Sequence, residues 1–378
     1  MSWTDIWSYN QQDYRSWPSK VWQDHQEIQI LMNHHADEIR IRFSNRYGIE
    51  PISFESVSIC TKELSESVPI TVSGQKLITI FPDNELVSDP IKCHIEPGTV
   101  VQLDTHLLNP VALTGGIVTY SRSITVVKNF DRDCLNPQDK QFRMVNENPK
   151  MQYIYGISGI DIPQNEKKHK SVVFGDSLVQ QGFIVDQLKL RLLKEKLADV
   201  AIINRGIGGS RILSGTDRNF DYYNRHGLPG TLRFEPDIFA KGPVDSIIII
   251  HGINDIITAF SDSAKNMFSI EELIKGWKQY AEFAKIHDTP CFICTLMPFG
   301  ESIFFRSEYE AYRQEVNSWI KNNQSFDGYF DLDKAVSDEK EPFKLKNDYD
   351  SGDGLHLSEN GGKRVAMAID VDIFNQKN

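Results

Sequence analysis

Ser171-Val-Val-Phe-Gly-Asp-Ser-Leu178 runs three β-branched or aromatic apolar residues into a glycine, an aspartate and a serine. A helix-period pattern begins near Leu178, so the stretch reads as a buried strand, a tight turn and a helix N-terminus. A serine at that junction has its Oγ at the carboxyl end of a strand, where open α/β sheets hold their ligands. Its backbone N–H belongs to a helix N-terminus, where negative charge is favoured. The chemistry on offer is nucleophilic attack by Ser177. A serine hydroxyl needs a neighbouring base to take its proton, and the base needs a third group to hold its tautomer. Asp353-Gly-Leu-His-Leu-Ser358 supplies both, because Asp353 and His356 stand three apart on a turn. The carboxylate can then reach the imidazole Nδ1–H and leave Nε2 to face Ser177. Asn204-Arg-Gly-Ile-Gly-Gly-Ser210 and His251-Gly-Ile-Asn-Asp255 each follow an apolar run of strand length. Glycines there let a backbone N–H approach a ligand closely.

Each of these residues also has a plainer role. Ser177 would serve as the N-cap of the helix it precedes. His251 is the one rival base, but Ile247 to Ile250 before it offer no carboxylate; it is expected to line a pocket. Asp176 is also expected near the pocket. Asp176 and Asp255 are expected to hold loops by accepting backbone N–H bonds. Gly206-x-Gly208 fails as a dinucleotide fingerprint because Arg211 fills the third glycine position. Asp348-x-Asp350 fails as a calcium loop because Gly352 and Asp353 stand in reverse order. Cys291-Phe-Ile-Cys294 lies in a strand-like apolar run, which argues for core packing over metal or redox chemistry. The aromatics of Phe220-Asp-Tyr-Tyr223 and Phe304-Phe305 fit core and pocket equally.

Gly175-Asp-Ser-Leu178, the Gly208 loop, Gly252-Ile-Asn-Asp255 and the Asp353-x-x-His356 pair resemble blocks I, II, III and V of the SGNH, or GDSL, hydrolases, in that family's chain order. The likeness extends to Leu228–Phe239 and, less specifically, to Glu38–Gly48, which is similar to the β-rich N-terminal domain of one branch. That branch is grouped with carbohydrate acetyl esterases and lysophospholipase-like esterases. The resemblance implies Ser177 as nucleophile, His356 as general base and acid, and Asp353 as its orienting partner. It further implies an oxyanion hole from the Ser177 N–H, the Gly208 N–H and the Asn254 side-chain amide. The implied fold is a flavodoxin-like three-layer α/β/α sandwich with a five-stranded parallel sheet, and the implied reaction uses no metal and no cofactor.

Two kinds of element must position these residues. From about Ile28 to Val127 short alternating runs are separated by turn signals such as Ser73-Gly74 and Pro97-Gly98. The strands expected there are Glu38–Phe43, Ile52–Cys60, Leu77–Phe81, Val100–Leu107 and Ile117–Val127, which suggest an all-β, jelly-roll-like sandwich. Residues 128–170 read as polar and irregular. After Ser171 the texture alternates: strands at Ala201–Asn204, Ser246–Ile250, Cys291–Thr295 and Tyr329–Leu332, helices at Leu178–Lys196, Ile270–Ile286, Tyr309–Lys321 and Ser358–Ile369. Such alternation indicates a parallel sheet covered on both faces. The expected domains are 1–165, β-sandwich with a short lead-in, and 166–378, catalytic. The β-domain could bind carbohydrate or wall the cleft, and its fold alone does not choose.

A formal charge of −11 on 378 residues argues against a nucleic-acid partner, because phosphate binding needs clustered Lys and Arg. No apolar run reaches the roughly 18 residues of a membrane span, and the first ten residues lack the pattern of a signal peptide. Five scattered cysteines suit a reducing compartment, so the expected location is cytoplasmic. The expected partner is a small ester, an acetylated sugar or oligosaccharide foremost; a short-chain lipid ester is the second reading. A non-catalytic carbohydrate-binding protein on a hydrolase scaffold is the reading from another class. Homo-oligomerisation stays open.

Overall fold

The computed structural model describes residues 2–15, 19–21, 25–64, 66–128, 151–167, 169–197, 199–215, 226–259 and 268–375. They fall into two compact units, one within Met1–Lys168 and Ala198–Ile203, the other within His169–Leu197, Asn204–Thr216 and His226–Asn378.

The first unit is built from antiparallel sheets. One runs Trp3–Ser8, Gly156–Pro163, Ala36–Ser44, Ile91–Ile95, with Glu85–Val87 also paired to Ala36–Ser44. Another runs Ile124–Lys128, His25–Leu31, Val100–Leu107, Ile52–Cys60, Val68–Pro69, with Ile78–Ile80 on Ile52–Cys60. Period-2 alternation sets the faces. Ile39, Ile41 and Phe43 are fully buried, while Arg42 on the opposite face donates to the Asp161 carboxylate at 2.5 Å.

The lead-in contains the strand Trp3–Ser8, paired with Gly156–Pro163. Two expectations need correction. The stretch expected to be irregular contains strands at Gln152–Ile154 and Gly156–Pro163. Gly156–Pro163 is buried on both faces and carries small residues on each, so it shows neither clean alternation nor a long apolar run. Ile117–Val127 is two strands, Gly115–Thr119 and Ile124–Lys128.

One five-stranded sheet has the order Val200–Gly206, His169–Gly175, Ser246–Ile250, Cys291–Cys294, Gly328–Phe330. In chain order this is 2-1-3-4-5, the flavodoxin-like arrangement, whose ligand crevice opens between strands 1 and 3. Ser171 pairs with Ser246, Ile247 with Cys291 and Phe292 with Gly328, all parallel. Cys291 and Cys294 are buried in this sheet.

Helices complete an α/β/α sandwich. Phe183–Lys194 packs on Glu359–Ala368, and Gly230–Phe239 packs on Ile270–Ile286. Ile270–Ile286 opens with a capping box between Ser269 and Glu272 and buries Leu273, Gly276, Trp277, Tyr280 and Ala284, one face of a 3.6-residue period. The helix expected over Leu178–Lys196 is two, Ser177–Gln180 and Phe183–Lys194, divided at Gly182, whose φ of 93° no helix interior allows. Gly230–Phe239 is helical although Pro229, Gly230 and Pro236 hide it in the sequence. The last strand stops at Phe330, because Asp331 caps a short helix from Leu332 by accepting the Lys334 N–H. Among the described residues no helix is long and apolar enough to cross a membrane.

Candidate active site

The His169–Gly175 strand is wholly buried and delivers the chain to Asp176 and Ser177 at the crevice. Gly175 passes the neighbouring strand so closely that a Cβ would stand 2.0 Å from the Ile250 carbonyl oxygen. Asp176 caps the short helix from Ser177, its Oδ1 accepting the Leu178 N–H at 3.0 Å. The side chain is fully buried, and this pushes its pKa up to about 6 against the pull of the Leu178 amide and the charges of His356 and Arg233.

Asp353 and His356 come from the turn before the last helix. Asp353 Oδ1 accepts the backbone N–H groups of Leu355 and His356, at 3.0 and 2.8 Å. Its Oδ2 lies 2.6 Å from His356 Nδ1. A carboxylate only accepts, so Nδ1 carries the proton and Nε2 is left as an acceptor. Nε2 stands 2.9 Å from Ser177 Oγ. Burial would raise the Asp353 carboxyl, but the bonds from His356 outweigh it and hold the group well below the usual carboxylate range. Asp350, discounted as a calcium ligand, closes this turn instead by accepting the N–H groups of Gly352 and Gly354. Ser358 then caps the last helix through the Gly361 N–H.

The second loop is tied to the helix that begins at Ser177 by Asn204, whose Nδ2 donates to the Val179 carbonyl oxygen at 2.7 Å. A Cβ on Gly206 would stand 2.2 Å from the Gln180 nitrogen, so only glycine lets the two loops touch. Gly208 follows beside the Ser177 side chain, a Cβ built on it lying 3.9 Å from Ser177 Cβ. Asn254 Nδ2 donates to the Ser210 carbonyl oxygen at 3.1 Å, tying the third loop to the second. Asp255 does the same from below, accepting the Ile212 N–H at 2.8 Å and the Leu213 N–H at 3.1 Å. Burial raises its carboxyl to about 7 despite those amides.

His251 is 2% exposed, with Nδ1 3.1 Å from the Tyr280 hydroxyl. Burial first, and the nearby Arg233 charge second, push its pKa well down. Together with Asp176, Ile250, Thr295 and Met297 it lines a small pocket behind the strand ends. Of the Phe304-Phe305 pair, Phe305 packs between Phe299 and Phe343, and Phe304 is half exposed. The Phe220–Tyr223 group lies outside the described residues.

Sequence reasoning passed over Arg233. Its buried guanidinium donates to the Gly175 carbonyl oxygen at 2.5 Å, the Arg205 carbonyl oxygen at 3.1 Å, Ser210 Oγ at 3.1 Å and Asp237 Oδ2 at 2.9 Å. It also lies 4.1 Å over the Phe174 ring. The one available signal was an arginine four residues before an aspartate in a stretch otherwise rich in apolar side chains.

This assembly falls inside residues 173–364, which match the GDSL-like lipase/acylhydrolase family. The chain belongs to that family. It is a serine ester hydrolase. Among solved structures this hydrolase is similar to a GDSL-like lipase from Bacteroides thetaiotaomicron, with 18% identity, 56% of this chain and 91% of that one covered, and a TM-score of 0.40. It is also similar to the acetylxylan esterase Axe2 from Geobacillus stearothermophilus, with 17% identity, coverage of 56% and 96%, and a TM-score of 0.40. The acetyl xylan esterase AlAXEase gives 20% identity, coverage of 53% and 96%, and a TM-score of 0.40. A comparison of the hydrolase with curated proteins gives no match.

Proposed function

We propose that the chain hydrolyses short acyl esters, acetyl foremost, of carbohydrates or similarly hydrophilic alcohols, through an acyl-enzyme on Ser177. The observation that carries this is one imidazole held 2.9 Å from Ser177 Oγ and 2.6 Å from Asp353 Oδ2. His356 Nε2 takes the hydroxyl proton as Oγ attacks the ester carbonyl, and Asp353 steadies the imidazolium that forms. The N–H groups of Ser177 and Gly208 and the Asn254 amide receive the negative charge of the tetrahedral intermediate. Nε2 returns the proton to the departing alcohol, and water removes the acyl group by the same route. Every step uses only these side chains and water, and all lie in the domain assigned to 166–378.

The exposure of the site supports a short acyl group. The His356 and Asp353 side chains are 26% and 53% exposed, and a shallow site of this kind suits a small acyl group on a bulky, hydrated alcohol.

Ser177→Ala is expected to abolish p-nitrophenyl acetate hydrolysis and labelling by a fluorophosphonate, with the circular dichroism spectrum unchanged. Retained hydrolysis by a folded Ser177→Ala chain would remove Ser177 from the mechanism, and a wild-type chain inert to both reagents would favour the binding-protein reading.

One observation favours a lipid ester as the second reading. Ile303 is 92% and Phe304 50% exposed, on a loop whose Glu301 and Ser302 backbone packs against Gly354 in the Asp353–His356 turn. Rates on p-nitrophenyl esters from acetate to octanoate separate the readings: a decline with chain length supports the acetyl ester, a rise the lipid.

A further inference from the structure

Far from the serine in sequence, the first unit holds a second group of chemistry-bearing side chains. Ala36–Ser44 and the edge strand Ile91–Ile95 are antiparallel, with Ala36 opposite Ile95. Stepping one residue outward on each side sets His35 against Glu96 and Asp37 against His94. Side chains alternate along a strand, so all four project from the same face. The observed contacts agree. His94 Nδ1 is 2.7 Å and His35 Nε2 3.3 Å from the Asp37 carboxylate. Glu96 Oε1 is 3.0 Å from His94 Nε2 and 3.5 Å from His35 Nδ1. The two rings meet edge to face at 5.3 Å.

We infer that His35, Asp37 and His94 form a binding site for a divalent first-row metal ion of the Zn2+ class, with Glu96 orienting both imidazoles. His35, Asp37 and His94 each bring one ligand atom within 4.8 Å of the others. Ligands about 2.1 Å from a tetrahedral Zn2+ stand about 3.4 Å from one another, so small side-chain adjustments close the triad. Two neutral imidazoles and a carboxylate suit Zn2+, Ni2+ or Cu2+ and are a poor set for Mg2+ or Ca2+. Ligating histidines commonly donate the opposite ring N–H to a carboxylate, which fixes tautomer and orientation; Glu96 stands where both would donate. The four side chains are 31–66% exposed, which leaves an entry path and room for water in the remaining coordination position. The ion would clip the edge strand to its neighbour.

The test uses the full-length chain, stripped with a chelator and titrated calorimetrically with ZnCl2 at pH 7.5. Saturable one-to-one uptake is expected with Zn2+ and none with MgCl2. Co2+ in its place should give visible absorption of a low-coordinate site. The His35→Gln/His94→Gln double variant should lose both signals, and Glu96→Gln should weaken binding about 10–100-fold, each with ester hydrolysis of the stripped chain unchanged. If the double variant folds poorly, Asp37→Asn, an exposed change, makes the same comparison. No Zn2+ uptake by the wild type, or uptake equal in wild type and variants, would overturn the assignment.

Discussion

Arg233 Nη2 donates to the carbonyl oxygen of Gly175 across 2.5 Å, so the residue two places before Ser177 is held by a helix that follows the second strand in sequence. The same guanidinium bonds Arg205, Ser210 and Asp237. Arg233→Met would leave two carbonyl oxygens and a carboxylate without those donors in a buried place. Removing one partner of a buried ion pair costs about 3–5 kcal/mol, and we expect the urea midpoint to fall accordingly. Lysine cannot present the planar fork, so Arg233→Lys should recover little. A midpoint within error of wild type for Arg233→Met would show that the guanidinium does not hold these loops.

The base and its orienting carboxylate should not be equal in effect. Elsewhere, loss of the serine or histidine of such a triad costs about 10⁶ in turnover and loss of the aspartate about 10⁴. Here the Asp353 side chain is half exposed, so water can partly replace it, and Asp353→Asn should retain more activity than His356→Ala by at least that ratio. Turnover on p-nitrophenyl acetate checks this, and an equal or reversed ranking would mean the pair is misassigned.

Asn254 tests the oxyanion hole. Its Nδ2 bonds the Ser210 carbonyl oxygen, so Asn254→Ala loses a loop contact of about 1 kcal/mol. If the amide also receives the oxyanion, kcat should fall about 10²–10³-fold with KM little changed. A loss of stability with kcat intact would confine Asn254 to tying the loops.

Two buried carboxyls set a pH dependence. Asp176 and Asp255 have pKa values pushed up by burial to about 6 and about 7, against about 3.9 in the unfolded chain. Between those values the native state holds protons that the unfolded state has released, so stability falls as pH rises. The urea midpoint should therefore drop from pH 5 to pH 8, and Asp255→Asn should flatten the upper part of that drop. Below about pH 4 the sign reverses, because Asp353 is held under its usual range and loses its bonds on protonation. A midpoint flat from pH 5 to 8 would mean that these carboxyls are already ionised in the folded chain.

Much of the candidate site's arrangement was legible because its parts are local in sequence. Ser177 sits at a strand-to-helix junction that three apolar residues and a glycine announce, and Asp353 needs only three residues to reach His356. The parallel sheet was legible for the same reason, since each buried strand is a continuous apolar run. Contacts set by packing between distant segments were hidden. Arg233 looks like a surface residue until its helix is laid against the Gly175 turn, and two prolines disguise that helix. The Gly156–Pro163 strand gives no alternation because both its faces are covered. The His35, Asp37, His94 and Glu96 group is visible only once the register of two strands is known, and register is not written in either strand alone.

Ser177 and His356, the imidazole proposed to deprotonate it, are 179 positions apart, while that imidazole and the Asp353 carboxylate share one turn ahead of the closing helix. If these roles hold, a chain ending before the Asp353–His356 turn would carry the Ser177 hydroxyl with neither the proposed base nor its orienting carboxylate.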